Sequence, residues 1–242
     1  MSDDNARDGT SSQPKKAKPT PHYAGHRGRL RERFLVGGAD ALADYELVEL
    51  LLFLSRPRGD MKPLAKALIA RFGSFADVIS ATPGELMTMD GIGETSVVAL
   101  KTAHASAIRL MAEQVHNRPV ISSWRQLIDY CRASMAYAKV ERFRLLYLDK
   151  KNTLIADEVQ QSGTIDHTPV YPREVVRRAL ELGASAVIMV HNHPSGDTTP
   201  SKADIEMTRE VARAAEPLGL TVHDHVVIGR QGHTSFKSLG LL

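Results

Sequence analysis

His191-Asn192-His193-Pro194-Ser195-Gly196, followed by Ser201 and Asp204, is the stretch on which the reading of this chain turns. Ahead of it, Ala186-Val187-Ile188-Met189-Val190 is a short apolar run between polar and turn residues, the pattern of a buried strand. His191 then stands at the carboxyl end of that strand. Side chains two apart in an extended chain point the same way, so His191 and His193 can converge. Pro194 and Gly196 turn the chain. Pro200 to Asp204 opens a helix that carries Ile205, Thr208, Val211, Ala212, Ala215 and Leu218 at helical spacing. Asp204, in its first turn, is thereby brought back towards the histidines. Two imidazoles and a carboxylate suit a zinc ion with one position left for water. Ser201-x-x-Asp204 also fits a capping box, in which Ser and Asp satisfy free amides of the first helical turn. The two demands compete for Asp204, and the joint occurrence of strand, His-x-His, turn, Ser and Asp favours the metal.

His-x-His, seven residues, Ser, two residues, Asp resembles the pattern of the JAMM (MPN-plus, or JAB) metalloproteases, and this chain has it without a gap. The longer string His191 to Gly196, with Pro200-Ser201 and the later Asp224-His225, resembles the RadC family in particular. The resemblance runs from about Tyr23 to the C-terminus. It implies an α/β fold of the cytidine-deaminase-like kind, a JAB/MPN mixed sheet flanked by helices, preceded by a small all-α region. It also implies a further upstream glutamate that touches the metal-bound water. Glu158, late in a strand, and Glu141, between a helix and a strand, are the candidates. Glu141 is the choice, because the family's glutamate sits at such a junction.

Read outward from this centre, the 242 residues make one large domain or two small ones. Hydrophobic residues are 43% of the chain, and no apolar run approaches the ~18 residues of a membrane span. The polar N-terminus does not read as a signal peptide. The single cysteine, Cys131, excludes an intramolecular disulfide and a thiolate zinc finger. A cytoplasmic protein with no membrane partner is expected. Residues 1–33 hold eight Lys or Arg against four Asp or Glu, so the formal charge of +3 leaves a net of −1 for the rest. Residues 1–22 therefore read as a solvated basic tail.

Residues 23–115 are expected to be helical. Leu42 to Leu52 and Leu64 to Ile69 mark two helices, and Thr82-Pro83-Gly84-Glu85 starts a third with a cap and an N1 proline. Gly91-Ile92-Gly93 then leads into a long helix. This resembles a helix-hairpin-helix module, whose hairpin amides can hold a DNA phosphate without reading bases. Glu94 beside the hairpin opposes that use. His116 to Pro119 is the expected boundary, and residues 120–242 the zinc domain. There, Trp124 to Ala136 and Pro172 to Leu182 read as helices. Phe143 to Leu148, Leu154 to Gln160, Leu220 to Ile228 and Thr234 to Leu242 read as strands.

The expected chemistry is hydrolysis of a peptide or isopeptide carbonyl. Zinc on His191, His193 and Asp204 would lower the pKa of water from about 15.7 to near 7, with Glu141 as base and Ser201 bonding the oxyanion. His225 would orient a ligand from behind. A DNA-associated metal enzyme of repair or recombination, with weak sequence-independent DNA binding, and a metal-keeping interaction module are the other two classes.

Overall fold

The computed structural model describes residues 25–116, 119–162 and 170–242. The basic tail at 1–22, and Asn117 and Arg118 of the expected boundary, lie outside the described residues. The first part is helical: α1 (His26–Gly37), α2 (Asp44–Ser55), α3 (Lys62–Phe72), α4 (Phe75–Ser80), α5 (Pro83–Met87) and α6 (Glu94–Val115). Starts and stops follow local chemistry. The Thr82 hydroxyl accepts from the Glu85 N–H while the Glu85 carboxylate accepts from the Thr82 N–H, a capping box with Pro83 at the first position. Leu30, Val48, Leu52, Leu68, Leu86, Ile92 and Leu100 close around one core.

The second part is a mixed sheet with helices on both faces. It comprises α7 (Trp124–Met135), β1 (Arg142–Leu148), β2 (Leu154–Ser162), α8 (Pro172–Leu182), β3 (Ala186–Asn192), α9 (Lys202–Ala215), β4 (Thr221–Ile228) and β5 (His233–Ser235). The strand order is β2-β1-β3-β4-β5, with β3 and β4 parallel and the other pairs antiparallel. The β1–β2 hairpin turns through Asn152 at φ 60°, and the Asp149 carboxylate accepts from the N–H groups of Lys151 and Thr153. Helix α8 stops at Gly183, which takes the left-handed conformation at φ 66°.

Alternation along the strands makes two further cores. Leu146, Leu148, Ile188, Val190, Val226 and Ile228 pack towards α7, while Phe143, Leu145, Tyr147, Val187 and Met189 pack towards α8 and α9. Helix α6 serves both parts: Val97 and Leu100 belong to the helical core, and Ile108, Met111 and Val115 pack on the sheet beside α7.

Three element ends differ from the sequence reading. Strand β3 runs on through Asn192, so His191 lies inside it. Helix α9 ends at Ala215, because Pro217 lacks the N–H to continue it; Leu218 falls in a 3-10 turn and is exposed. The last stretch joins the sheet only at His233–Ser235, not as far as Leu242. Phe236 is buried, and the chain then folds back through Gly240 at φ 68°, with Leu239 and Leu241 N–H groups bonded to the Phe236 carbonyl.

Candidate metal centre

The parallel pair β3 and β4, joined by α9, sets the site at the carboxyl end of β3. His191 is fully buried, His193 half-buried, and Asp204 enters from the first turn of α9. The His191 and His193 Nε2 atoms are 3.0 Å apart. Asp204 Oδ1 is 3.4 Å from His191 Nε2, and Oδ2 is 3.6 Å from His193 Nε2.

Hydrogen-bond direction fixes which ring nitrogens carry protons. The Thr208 hydroxyl donates to the Asp204 carbonyl at 2.5 Å, so its oxygen accepts from His225 Nδ1–H at 2.6 Å. His225 Nε2 then accepts from His191 Nδ1–H at 2.8 Å. His191 Nε2 is left as a lone pair. His193 Nδ1 donates to the Asp197 carbonyl at 2.6 Å, which leaves its Nε2 a lone pair as well. Two lone pairs 3.0 Å apart repel, and a cation between them removes the repulsion. Metal–nitrogen and metal–oxygen bonds of about 2.0–2.2 Å make tetrahedral edges of roughly 3.3–3.6 Å, and one ligand atom from each of the three residues lies within 4.8 Å of the others. The donor set fits a metal ion.

Electrostatics agree. Burial works to raise the Asp204 pKa, but the His191 and His193 rings beside it, when they carry charge, outweigh burial and hold the carboxylate ionised well below its ordinary range. The His193 pKa is raised, first by Asp204, against the effect of burial, with the Asp197 carbonyl and the Glu141 charge adding to the rise. Burial depresses His225 far below the ordinary histidine value, in keeping with a neutral imidazole in the relay. Its ring is further held against Phe236, with centroids 4.4 Å apart, and His191 is stacked on Phe143.

Asp204 does not have to choose between cap and metal. Its Oδ2 accepts from the Ser201 N–H at 2.7 Å and the Ser201 hydroxyl accepts from the Asp204 N–H at 3.1 Å, while Oδ1 stays turned to His191. The sequence reading set these two uses against each other; a carboxylate with two oxygens can serve both.

A family model described as RadC-like JAB domain matches residues 121–241, and one described as UPF0758 N-terminal matches residues 24–98. A UPF0758 protein of Rhodobacter capsulatus is 59% identical over 213 residues, 88% of this chain and 100% of the relative. This chain belongs to the RadC-like JAB family.

Within this RadC-like JAB fold the remaining predicted residues separate. Glu141 is half-buried at the entry to β1, the strand whose Phe143 pairs with His191, and its charge acts on His193. Glu158, on β2, pairs with Leu145 of β1 and is held by Arg178, Nη2 to Oε1 at 2.6 Å and Nε to Oε1 at 2.9 Å. Gly91, Ile92 and Gly93 belong to the helical part: Ile92 is buried in its core, Gly91 takes φ 86°, and both glycines are exposed. Thr208 and Asn192, both buried against the site, were not among the sequence candidates. The spacing of Thr208, one turn after Asp204, was the available signal for the first.

Proposed function

We propose that this RadC-like JAB protein is a zinc-dependent amide hydrolase, a metallopeptidase or isopeptidase acting on a peptide or protein substrate. The observation that carries it is the convergence of two imidazole lone pairs and a carboxylate oxygen, with Glu141 on the adjoining strand entry. His191, His193 and Asp204 would hold the zinc, which supplies a Lewis acid and makes water a nucleophile near neutral pH. His193 forms the solvent side of the cluster, with 18% of its side chain exposed against none of His191, so substrate and water arrive past it. Glu141 takes the proton from the attacking water and returns it to the leaving amine. The Ser201 oxygen is engaged by the Asp204 N–H, and its own hydrogen, which serves the Asp204 carboxylate, would turn to the carbonyl oxygen of the substrate. The relay Thr208–His225–His191 keeps His191 in the tautomer that binds metal.

The test is cleavage of linear and isopeptide-linked peptides by the zinc-loaded protein beside Asp204→Ala and Glu141→Gln. Turnover that is lost in the first and falls ~10²–10⁴-fold in the second, with zinc retained in the second, supports the assignment. Turnover that survives Asp204→Ala contradicts it. A second reading adds weak, sequence-independent DNA contact at the exposed Gly91 and Gly93, with an Arg56 guanidinium nitrogen beside Gly91. Asp90 and Glu94, both exposed at the same turn, oppose that contact.

A further inference from the structure

His191 and His193 point to one side of β3, so Asn192 between them points to the other. There it is fully buried and meets the segment that carries Glu141. Its Oδ1 accepts from the Arg142 N–H at 2.9 Å. Its Nδ2 donates to the Val140 carbonyl at 3.3 Å and, more distantly, to the Ala138 carbonyl at 3.5 Å. The Val140 carbonyl and the Arg142 N–H belong to the two peptide groups on either side of the Glu141 Cα. Asn192 thus grips the backbone before and after Glu141.

The grip occurs where the sheet ladder gives out. β1 pairs with β3 from Leu148↔Ala186 to Phe143↔His191. At the next position, the side-chain amide of Asn192 receives the Arg142 N–H in place of a main-chain carbonyl. An aspartate would keep the acceptor but lose both donors, and an aliphatic residue would lose everything.

We infer that Asn192 is a positioning residue: it fixes Glu141 beside the site where its two neighbours in sequence would hold the metal, so that one three-residue stretch, His191-Asn192-His193, sets both the ligands and the base. The inference rests on Glu141 being the base of the proposed hydrolase. Asn192 touches neither substrate nor metal, and its effect passes through Glu141.

The full-length chain loaded with Co²⁺ tests this without a substrate. The visible absorption of the bound cobalt is titrated against pH in the wild type, Glu141→Gln, Asn192→Ala and the double variant, and the Arg142 amide is followed by hydrogen exchange. Glu141→Gln is expected to shift the absorption midpoint by roughly one pH unit, as a neighbouring charge does. Asn192→Ala should shift it in the same direction, with cobalt content kept, and the double variant no further. Arg142 exchange should rise roughly tenfold in Asn192→Ala, the worth of a lost buried hydrogen bond, and stay unchanged in Glu141→Gln. A midpoint that moves in Glu141→Gln but not in Asn192→Ala overturns the positioning role, as does cobalt loss in Asn192→Ala. A midpoint unmoved by Glu141→Gln overturns the assignment of the base, and the positioning role with it. Should Asn192→Ala fail to fold, the wild type decides: an Arg142 amide that exchanges at the rate of an unbonded one removes the grip, and a protected one supports it.

Discussion

Thr208 sets the tautomer of His191 from two hydrogen bonds away, because its hydroxyl proton is committed to the Asp204 carbonyl. Thr208→Val keeps the shape but removes the acceptor for His225 Nδ1–H. Metal affinity is expected to fall ~10–100-fold, the usual cost of losing an outer hydrogen-bond partner, as read by competition with a chelator. An unchanged affinity would show that the relay does not set the tautomer. Glu158→Gln is expected to leave metal content and turnover as they are, since its partner is Arg178 and not the site. The cluster was legible from the sequence because His191, His193 and Asp204 sit within one local unit of strand, turn and helix. The partners behind them were harder to read. His225 meets His191 only through the parallel pairing that sets Met189 opposite it, and Asn192 meets Glu141 only where β1 parts from β3. Strand pairing of that kind leaves no local mark.

At the scale of elements, α7, β1 and β2 are tied by a buried cluster. Arg144 Nη1 donates to Asp157 at 2.6 Å and to the Tyr130 hydroxyl at 2.8 Å, and Tyr130 donates to the same carboxylate oxygen. Burial together with Asp157 pushes the Tyr130 hydroxyl up to about 12. Arg144→Leu would strand a buried carboxylate and is expected to cost about 3–5 kcal/mol, measured by denaturant unfolding. A loss below about 1 kcal/mol would mean that Asp157 reaches water, as an exposed pair does. A weaker tie joins α5 to the segment before β1: Lys139 Nζ lies 2.9 Å from Glu85 Oε1. Lys139 and the Thr82 cap lower the Glu85 pKa from 4.5 to about 2. Because the folded value is depressed, the contribution is complete above pH 4.5 and is lost as pH falls towards 2. Both groups are partly exposed, so it amounts to about 0.2–1 kcal/mol. Glu85→Gln should flatten the acid side of the stability profile by that amount, and an unchanged profile would remove the pair from the account. The sequence showed α5 and its cap through Thr82-Pro83-Gly84-Glu85, but Lys139 lies 54 positions later and its meeting with Glu85 is a product of packing.

For the whole molecule, the sequence placed a helical part before a mixed α/β part, and both are present. It drew the line between them at His116 to Pro119, whereas α6 buries side chains in the cores of both. Helical periodicity shows which face is apolar, not how many cores that face serves. The expected consequence is joint unfolding. The single tryptophan, Trp124, packs in the sheet part beside α6, so its fluorescence should report the same midpoint as the far-ultraviolet signal of the helices. Separated midpoints would show that α6 does not couple the parts. Among the described residues no helix is long and apolar enough to cross a membrane. If the chain contacts duplex DNA, binding should be independent of sequence and weaken steeply with salt. Loss of binding on removing residues 1–29, with retention on removing 30–114, would place it in the basic tail and not at Gly91-Ile92-Gly93.

Metal content decides whether His191, His193 and Asp204 hold one metal ion. Elemental analysis of the purified protein is expected to give one zinc per chain, with His191→Ala and Asp204→Ala largely depleted while still folded. Full zinc occupancy in both variants would contradict that assignment.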